Sequence, residues 1–410
     1  MLYLREIKKV VWSVSYILYV AAIVIALYSQ GVFDFGENLL HEPQKGENYG
    51  TEHAEVPEQI MPAAISQLWE EFCENSYQTY PIGFVKYVKL EDSEQQRVAE
   101  IISELTGTDV DTVLRDRTKN SDGSSGGLPS QAGSSMDYSR FKERMRELDH
   151  LLGGNSRYKV EDLVSYSNVP VTYEKAKERY GLARNRDKIT GGYARLFSDY
   201  SVAMVMSVLP VFLAVILCLK DRRAKMSELV YCRKASAAKV VLCRYFALLT
   251  AAMLPVCILS FVSNVPLWAA YSGVALDYLA PLRYDFGWIM PSAMISTAAG
   301  MFLTELTGTP VAVFIQGFWW LSDIYMGIRS VPDGYALFRL APRHNAGADS
   351  YFRTQDFLDH FNDLFINRLL FAGASMLLVV LTIYIYEARR RGRIKWRSQK
   401  PGFRFGKSQK

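Results

Sequence analysis

Six stretches of mostly apolar residues alternate with polar segments along this chain. They cover residues 10–28, 200–219, 245–264, 286–303, 310–326 and 369–386. A helix of about 20 apolar residues is long enough to cross the hydrocarbon core of a lipid bilayer. Pro291 falls inside the fourth stretch, which a membrane helix tolerates when its neighbours bind the carbonyl that the proline leaves free. The pattern predicts an all-α membrane protein with six transmembrane helices.

The first apolar stretch is predicted to be retained as a membrane anchor. It follows three basic residues, as a signal peptide also would, but no small-x-small cleavage site follows Ala26. The stretch is also longer than the apolar core of a typical signal peptide. Residues 1–30 are therefore predicted to be a short cytoplasmic segment and the first transmembrane helix.

Residues 31–196 form one long polar segment with 20 basic and 28 acidic residues. Apolar residues recur at helical spacing in four parts of it, residues 57–77, 95–105, 138–152 and 173–182. A Gly/Ser-rich insert at residues 118–137 has the composition of a disordered loop. We predict a mainly helical extracytoplasmic domain inserted between the first and second transmembrane helices. Its ligand is not indicated by the sequence.

Charge predicts the orientation of the helices. Residues 1–9, 220–244 and 387–410 together contain 21 basic and 4 acidic residues. Positive charge in short loops and tails marks the cytoplasmic side of a membrane protein. Both termini are therefore predicted to lie in the cytoplasm. Residues 197–387 then hold transmembrane helices two to six, and residues 388–410 form a basic tail.

Two later polar segments, residues 265–285 and 329–367, are predicted to lie on the outer side. The second ends in a stretch that is amphipathic at helical spacing. Its apolar face consists of Phe357, Leu358, Phe361, Leu364 and Phe365. Aspartates occupy the opposite face, so this stretch predicts one helix lying in the outer membrane interface.

The sequence lacks the motifs of the common membrane enzymes. The only near match to a phosphate-binding loop, residues 401–408, begins with proline in place of glycine and follows no predicted strand. The five histidines and five cysteines form no metal-binding pattern. We expect no enzymatic activity, no bound metal and no ATP hydrolysis in this chain.

Three charged residues, Glu305, Asp323 and Arg368, fall close to the predicted ends of apolar stretches. An ionisable residue inside a membrane helix is a functional candidate by default. At the end of a helix the simpler interpretation is an interfacial position, which we adopt. Anionic lipid headgroups likewise explain the basic tail, and we expect no nucleic-acid partner.

The connector between the second and third apolar stretches, residues 220–244, carries eight basic and two acidic residues. Met226, Leu229 and Val230 recur at the spacing of one helix face, with charged residues around them. This pattern favours a short amphipathic helix that lies against the membrane or a soluble partner. It fits equally well a solvated loop whose charge only fixes the orientation.

The order of these parts resembles the membrane subunit of ABC-2 type exporters, in the variety with an extracytoplasmic domain after the first helix. The local residues that carry the resemblance are Asp221, Arg222, Arg223, Glu228, Leu229, Arg233, Ala235, Ser236, Lys239, Arg244 and Tyr245. In such permeases a charged step, a Glu-Leu pair, an arginine and a small-residue turn join the second helix to the third. Ala235 replaces a proline that is frequent in the family.

The resemblance implies that residues 224–234 form a coupling helix on a separate ATP-binding subunit. Its contact residues would be Met226, Glu228, Leu229, Tyr231, Arg233 and Lys234. The partner subunit would bind ATP and Mg²⁺, so that this chain needs no cofactor of its own. A second permease subunit, identical or different, would complete the exporter in the bacterial cytoplasmic membrane.

We therefore expect the permease subunit of an ATP-driven exporter. Apolar, aromatic-rich helices suit an amphipathic peptide, a lipid or a hydrophobic drug as cargo, and no substrate-binding residue is indicated. The alternative is a membrane sensor or scaffold protein, in which the extracytoplasmic domain binds a ligand or partner and the helices transmit a signal or support an assembly.

Overall fold

The computed structural model describes residues 2–33, 39–81, 85–110, 136–224, 235–326, 335, 337–343 and 352–393. The chain is mainly helical, as predicted. It forms two compact units. The first unit is drawn from Met1–His41, Gly181–Ile324 and Val331–Lys410, and the second from Glu42–Tyr180 and Tyr325–Ser330.

The described α-helices, in chain order, are α1 (Leu2–Val11), α2 (Val14–Ser29), α3 (Pro57–Glu74), α4 (Asp92–Thr106), α5 (Tyr138–Leu151), α6 (Tyr173–Asn185), α7 (Thr190–Leu196), α8 (Ala203–Met206), α9 (Pro210–Arg223), α10 (Ala237–Ala270), α11 (Ala280–Tyr284), α12 (Met290–Thr307), α13 (Val311–Met326), α14 (Thr354–Asp359) and α15 (Phe361–Arg390). A 3₁₀ turn covers Val160–Tyr166, and two π-helical turns are π1 (Phe197–Val202) and π2 (Asp285–Ile289). The strands are β1 (Thr51–Glu52), β2 (Tyr77–Thr79), β3 (Lys86–Val88) and β4 (Val169–Pro170).

Four helical segments within the described ranges are long and apolar enough to cross a membrane: Ala203–Lys220, Ala237–Ala270, Ala280–Thr307 and Phe361–Arg390. The pair α1 and α2 passes the same test together and is bent by 65°. α13 is apolar but only 16 residues long. The helices thus support a membrane protein with four or five candidate spans, while the count of six stays a prediction.

The first apolar stretch, predicted as one helix over residues 10–28, is mostly α2, which begins at Val14 because a break separates it from α1. Ser13 explains the break. Its hydroxyl donates to the Val10 carbonyl at the end of α1 (2.6 Å) and accepts the Tyr16 N–H at the start of α2 (3.2 Å). A serine side chain in this position caps the helix that follows.

Two tyrosines join α2 to α10. The Tyr16 hydroxyl donates to the Ala251 carbonyl, and the Tyr19 hydroxyl donates to the Ala252 carbonyl, each over 3.1 Å. Because Pro255 has no N–H, the Ala251 carbonyl lacks its usual helical donor. An unsatisfied carbonyl is unfavourable among lipids, so Tyr16 fixes α2 against the part of α10 that the proline disrupts.

α12 is the central helix of the first unit and packs against α9, α10 and α15. Most of its residues are buried, and many of them are Ala, Ser, Thr or Gly. Such small residues let membrane helices approach closely. At the tightest point, a Cβ added to Gly300 would lie 2.7 Å from the Ala214 Cβ of α9.

The amphipathic stretch around residues 357–365 is not a single helix, which corrects that prediction. α14 ends at Asp359, and the long helix α15 begins two residues later. Phe357 of α14 stacks on Trp288, with ring centroids 5.9 Å apart. Leu364, in the first turn of α15, is also buried. The apolar face therefore packs in part against the protein, which sequence spacing alone does not separate from a face in contact with lipid.

The second unit has an apolar core of its own. Its largest contributors lie on α3, α4 and α5 and include Ile60, Ile65, Leu68, Ile101, Ile102, Phe141 and Leu148. The four helices predicted from periodicity correspond to α3, α4, α5 and α6 and are confirmed. The antiparallel pairs β1–β4 and β2–β3 were not predicted, because strands of two or three residues show no alternating pattern. Most of the predicted insert at residues 118–137 lies outside the described ranges.

Candidate functional site

The connector that the sequence indicates is described only at its two flanks. α9 ends at Arg223, and the chain is described again from Ala235. The six predicted contact residues, Met226, Glu228, Leu229, Tyr231, Arg233 and Lys234, all lie outside the described ranges. Their arrangement as a coupling helix stays a prediction, and the flanks are the part of the site that can be examined.

α1 attaches to α10 close to the connector. The Glu6 carboxylate of α1 lies 3.7 Å from the Arg244 guanidinium of α10 and 2.8 Å from the Lys9 ammonium group. Glu6 and Arg244 are both buried. Removing one partner of a buried ion pair leaves an uncompensated charge and is strongly destabilising. The pair therefore fixes α1 within about two turns of the point where α10 leaves the connector.

The carboxyl end of α15 attaches to the same region. Arg390 donates to the Ala235 carbonyl (2.6 Å), just before α10 begins. Arg389 donates to the Leu306 carbonyl (3.0 Å), at the end of α12. Two neighbouring arginines thus join the second flank of the connector and the central helix to a single helix end. A displacement of the connector would act on α1, α10, α12 and α15 together.

A dense polar cluster lies at the other end of α15. Arg368 is buried and donates to the Trp288 carbonyl (3.0 Å), the Ser292 hydroxyl (2.7 Å) and the Arg339 carbonyl (3.2 Å). The Asn367 side chain accepts a further hydrogen bond from the same guanidinium group. Each of these partners would lose a donor if the arginine were removed.

Residues 337–343 form an irregular segment among the ends of α12, α13 and α15. Asp323 of α13 accepts the N–H groups of Leu340 (2.7 Å) and Ala341 (3.2 Å). The carbonyl groups of the segment accept hydrogen bonds from the side chains of Trp288, Ser292, Asn367 and Arg368. Irregular backbone at membrane depth is tolerated where protein groups satisfy it in this way.

For three charged residues near helix ends, the interfacial position stays a prediction, and the structure adds their burial. Glu305, Asp323 and Arg368 are 7%, 4% and 5% exposed. They are therefore enclosed by protein. Hydropathy locates a residue along its own helix, but it does not show that residues 337–343 fold back over the helix ends.

A second buried charge cluster lies before α8 and was missed in the sequence. Arg195 of α7 is 2% exposed and pairs with both oxygens of Asp187 (2.8 and 3.2 Å). It also donates to the Thr354 hydroxyl (2.9 Å) and the Phe352 carbonyl (3.0 Å). Its guanidinium group lies 4.7 Å from the centre of the Phe357 ring. One arginine thus joins the segment before α7 to the start of α14.

Two residues near Arg195 have a positive backbone φ angle, in the left-handed region. Ile189 precedes α7 and has φ 59°, and Phe352, whose carbonyl accepts from Arg195, also has φ 59°. For a β-branched residue such as Ile189 this conformation is an outlier. The Phe352 ring also packs directly on Gly192 of α7. A Cβ added to Gly192 would come within 2.3 Å of that ring. The successive glycines Gly191 and Gly192 were the available sequence signal, since glycine within a helix indicates close approach of another group.

In the second unit, the buried acid Glu71 of α3 accepts a hydrogen bond from the Tyr158 hydroxyl (2.8 Å). Burial raises the pKa of the Glu71 carboxyl, although hydrogen bonds from Tyr158 and the Gln78 N–H act in the opposite direction. This contact holds the segment around Tyr158 on α3 and has the character of a core hydrogen bond.

Within the described ranges, no group of three or more His, Cys, Asp or Glu side chains is placed to bind a metal ion. Comparisons of the chain with protein-family models, curated proteins and solved structures find no match.

Proposed function

We propose that this chain is the permease subunit of an exporter driven by a separate ATP-binding subunit. The six spans are the pair α1–α2, the four long apolar segments and α13. The connector and both termini lie in the cytoplasm, the second unit lies outside, and a second permease subunit completes the pathway. The cargo class is an amphipathic peptide, a lipid or a hydrophobic drug.

The observation that supports this proposal most is the attachment of the connector's flanks. On one side, α9 packs closely on α12 at Gly300. On the other, Glu6 and Arg390 join the start of α10 to α1 and α15. Rigid-body movement is a common way to transmit a change between packed elements. A partner that moves the connector would therefore move most of the bundle.

The residues of the connector suit a docking surface. Met226, Leu229 and Tyr231 supply apolar contact, and Glu228, Arg233 and Lys234 supply the charged rim. A buried apolar centre with a polar rim is the usual construction of a protein–protein interface. ATP and Mg²⁺ bind to the partner in this account, so hydrolysis takes place outside this chain.

The test is co-purification with the ATP-binding subunit from the source membrane. We expect the double reversal Glu228→Arg with Arg233→Glu to abolish both association and substrate-stimulated ATP hydrolysis, while membrane insertion is unchanged. A matched control reverses Glu387 and Arg391, a partly exposed ion pair at the end of α15 (2.7 Å). ATPase association that survives the connector reversal would contradict the proposal.

A membrane sensor or scaffold is the second candidate, because the second unit has a complete apolar core of its own. Such a unit is able to bind a ligand or partner without a transport pathway. Replacing residues 42–180 with a short flexible linker separates the two candidates. The exporter predicts that association with the ATPase survives the deletion, whereas a sensor predicts loss of signalling with no efflux phenotype in the undeleted protein.

A further inference from the structure

Asp285 is a buried carboxyl group that the proposed coupling does not use. It opens π2, inside the apolar segment Ala280–Thr307, and none of its surface is exposed. Its nearest polar neighbours are the Ser260 hydroxyl and the Cys257 thiol of α10. Among the residues that the structure describes, neither carboxylate oxygen has a hydrogen bond of good geometry.

Among the residues that the structure describes, no arginine pairs with Asp285. Arg195 reaches the neighbouring Tyr284 but pairs with Asp187. Arg368 also contacts π2, but its guanidinium group donates hydrogen bonds to the Trp288 carbonyl and the Ser292 hydroxyl. A buried carboxylate without a partner is very unfavourable. Asp285 therefore needs either a proton or a bound cation to neutralise it.

Two further buried oxygens lie on α10, one helical turn apart, and the first of them neighbours Asp285. The Ser260 hydroxyl is fully buried, and Asn264 follows one turn later with 1% of its surface exposed. The Asn264 amide group donates to the Ser260 carbonyl (2.7 Å), which leaves its own Oδ1 as an acceptor. In the described part of the chain, Asn264 Oδ1 has no hydrogen-bond partner, and the Ser260 hydroxyl has Asp285 as a polar neighbour.

The character of these oxygens decides which ligand fits. A proton on Asp285 would serve one acceptor and leave the others unsatisfied. Divalent cations are usually bound by several carboxylates, and no such group occurs in the described ranges. The complete burial of Asp285 calls for a small ion. Sodium bound by oxygens at broken or irregular membrane helices meets these requirements, and π turns often mark functional sites.

We propose that Asp285, Ser260 and Asn264 form a sodium-binding site between π2 and α10. The site lies about 23 residues along α10 from the connector end, or roughly 35 Å. It is therefore remote from the predicted ATPase contact. The proposal goes beyond the exporter function and does not depend on it, because sodium binding is measured on the purified chain alone.

The test is thermal unfolding of the purified full chain in lipid nanodiscs, followed by tryptophan fluorescence. Sodium chloride is titrated against potassium chloride and choline chloride at constant ionic strength and pH. A ligand that binds only the folded state raises Tm as its concentration passes Kd. We expect a saturable rise of Tm that is specific for sodium in the unchanged protein.

Variants locate the effect. Asp285→Asn should abolish the sodium-specific rise, and Ser260→Ala should raise the apparent Kd about tenfold, as expected for the loss of one polar contact. The matched control is Asp363→Asn, which removes an exposed carboxylate in the first turn of α15 and should leave the rise unchanged. If Asp285→Asn does not fold, Ser260→Ala and Asn264→Ala carry the test through equilibrium binding of radioactive sodium.

Three results would overturn the proposal. The first is an equal rise of Tm with potassium or choline. The second is a response to pH with none to sodium, which would make Asp285 a proton site. The third is a sodium response that persists in Asp285→Asn, or sodium affinity that is unchanged in both α10 variants.

Discussion

The two ends of the helix bundle in the first unit are held together in different ways. At the connector end, neighbouring arginines of α15 bind separate helix termini: Arg390 donates to the Ala235 carbonyl, and Arg389 donates to the Leu306 carbonyl. At the opposite end, Arg368 alone binds several groups, and Asp323 fixes consecutive N–H groups of residues 337–343. Among the described residues, one end is thus fixed through a shared irregular segment and the other through separate helix termini. In the proposed function the connector end is the part that moves, because the partner subunit acts there.

The largest expected effect is at Arg368. Arg368→Ala leaves the Trp288 carbonyl and the Ser292 hydroxyl without their donor, and we expect a loss of about 3–5 kcal/mol in the free energy of unfolding. The measurement is Tm and the yield of folded protein in detergent. Arg283→Ala is the matched control: this arginine is 61% exposed and has one ion pair, to Asp277. Exposed pairs contribute about 0–1 kcal/mol, so equal losses in the two variants would show that the buried network of Arg368 stabilises no more than an exposed pair.

At the connector end, the ion pair of Glu6 with Arg244 should matter less. The two groups are 3.7 Å apart, and Lys9 also faces the carboxylate. Glu6→Ala should lower the free energy of unfolding by roughly 2–3 kcal/mol, because it leaves Arg244 buried without this partner. The double variant with Arg244→Ala should lose less than the sum of the single losses. Strict additivity, measured by chemical unfolding, would show that the two side chains do not interact.

The contact between α9 and α12 tests how the two ends communicate. Gly300→Ala introduces a Cβ at 2.7 Å from that of Ala214, so the helices must separate. Overpacking of this kind destabilises by about 1–3 kcal/mol, and we expect about 1–2. Gly373→Ala on α15 is the control, because nothing lies within 4 Å of its added Cβ. It should be neutral or slightly stabilising, since alanine favours the helix. A harmless Gly300→Ala would mean that α9 is not closely packed on the central helix.

The smallest effect is expected in the second unit, where Glu71 is a buried acid without the rich network of Arg368. Because burial raises its pKa, the folded state binds a proton at Glu71 more tightly than the unfolded chain does. Stability should therefore fall as pH rises from the unfolded pKa through the raised folded pKa. Glu71→Gln should flatten that dependence, while keeping an acceptor for Tyr158. Thermal unfolding of the full chain between pH 4 and 8 (about the carboxylate range) measures it, and an unchanged profile would contradict the assignment.

Much of the fold follows from local pattern. Residues 200–219 were predicted as a span, and the apolar segment Ala203–Lys220 lies there. α3 to α6 likewise follow from helical periodicity. Ser13 shows the limit, since its capping of α2 interrupts a stretch that hydropathy treats as continuous.

Long-range contacts account for what was missed at the site. Burial of Arg368 and Asp323 depends on residues 337–343 folding among the helix ends, and burial of Arg195 depends on a segment more than 150 residues later. Asp285 fell at the edge of a predicted outer segment because hydropathy began the fourth span one residue after it. In the structure α11 and π2 extend that segment back to Ala280, which places the carboxyl group inside it.

The side of the membrane on which the connector lies is the central claim, and its native cysteines allow a direct measurement. One variant retains only Cys73 of the second unit, and a second variant retains only Cys232 of the connector. Each is labelled on intact cells with a membrane-impermeant maleimide. Cys73 is exposed in the structure. The account predicts that Cys73 is labelled and that Cys232 reacts only after the membrane is permeabilised. Labelling of Cys232 on intact cells would place the connector outside, where no ATP-binding subunit could reach it.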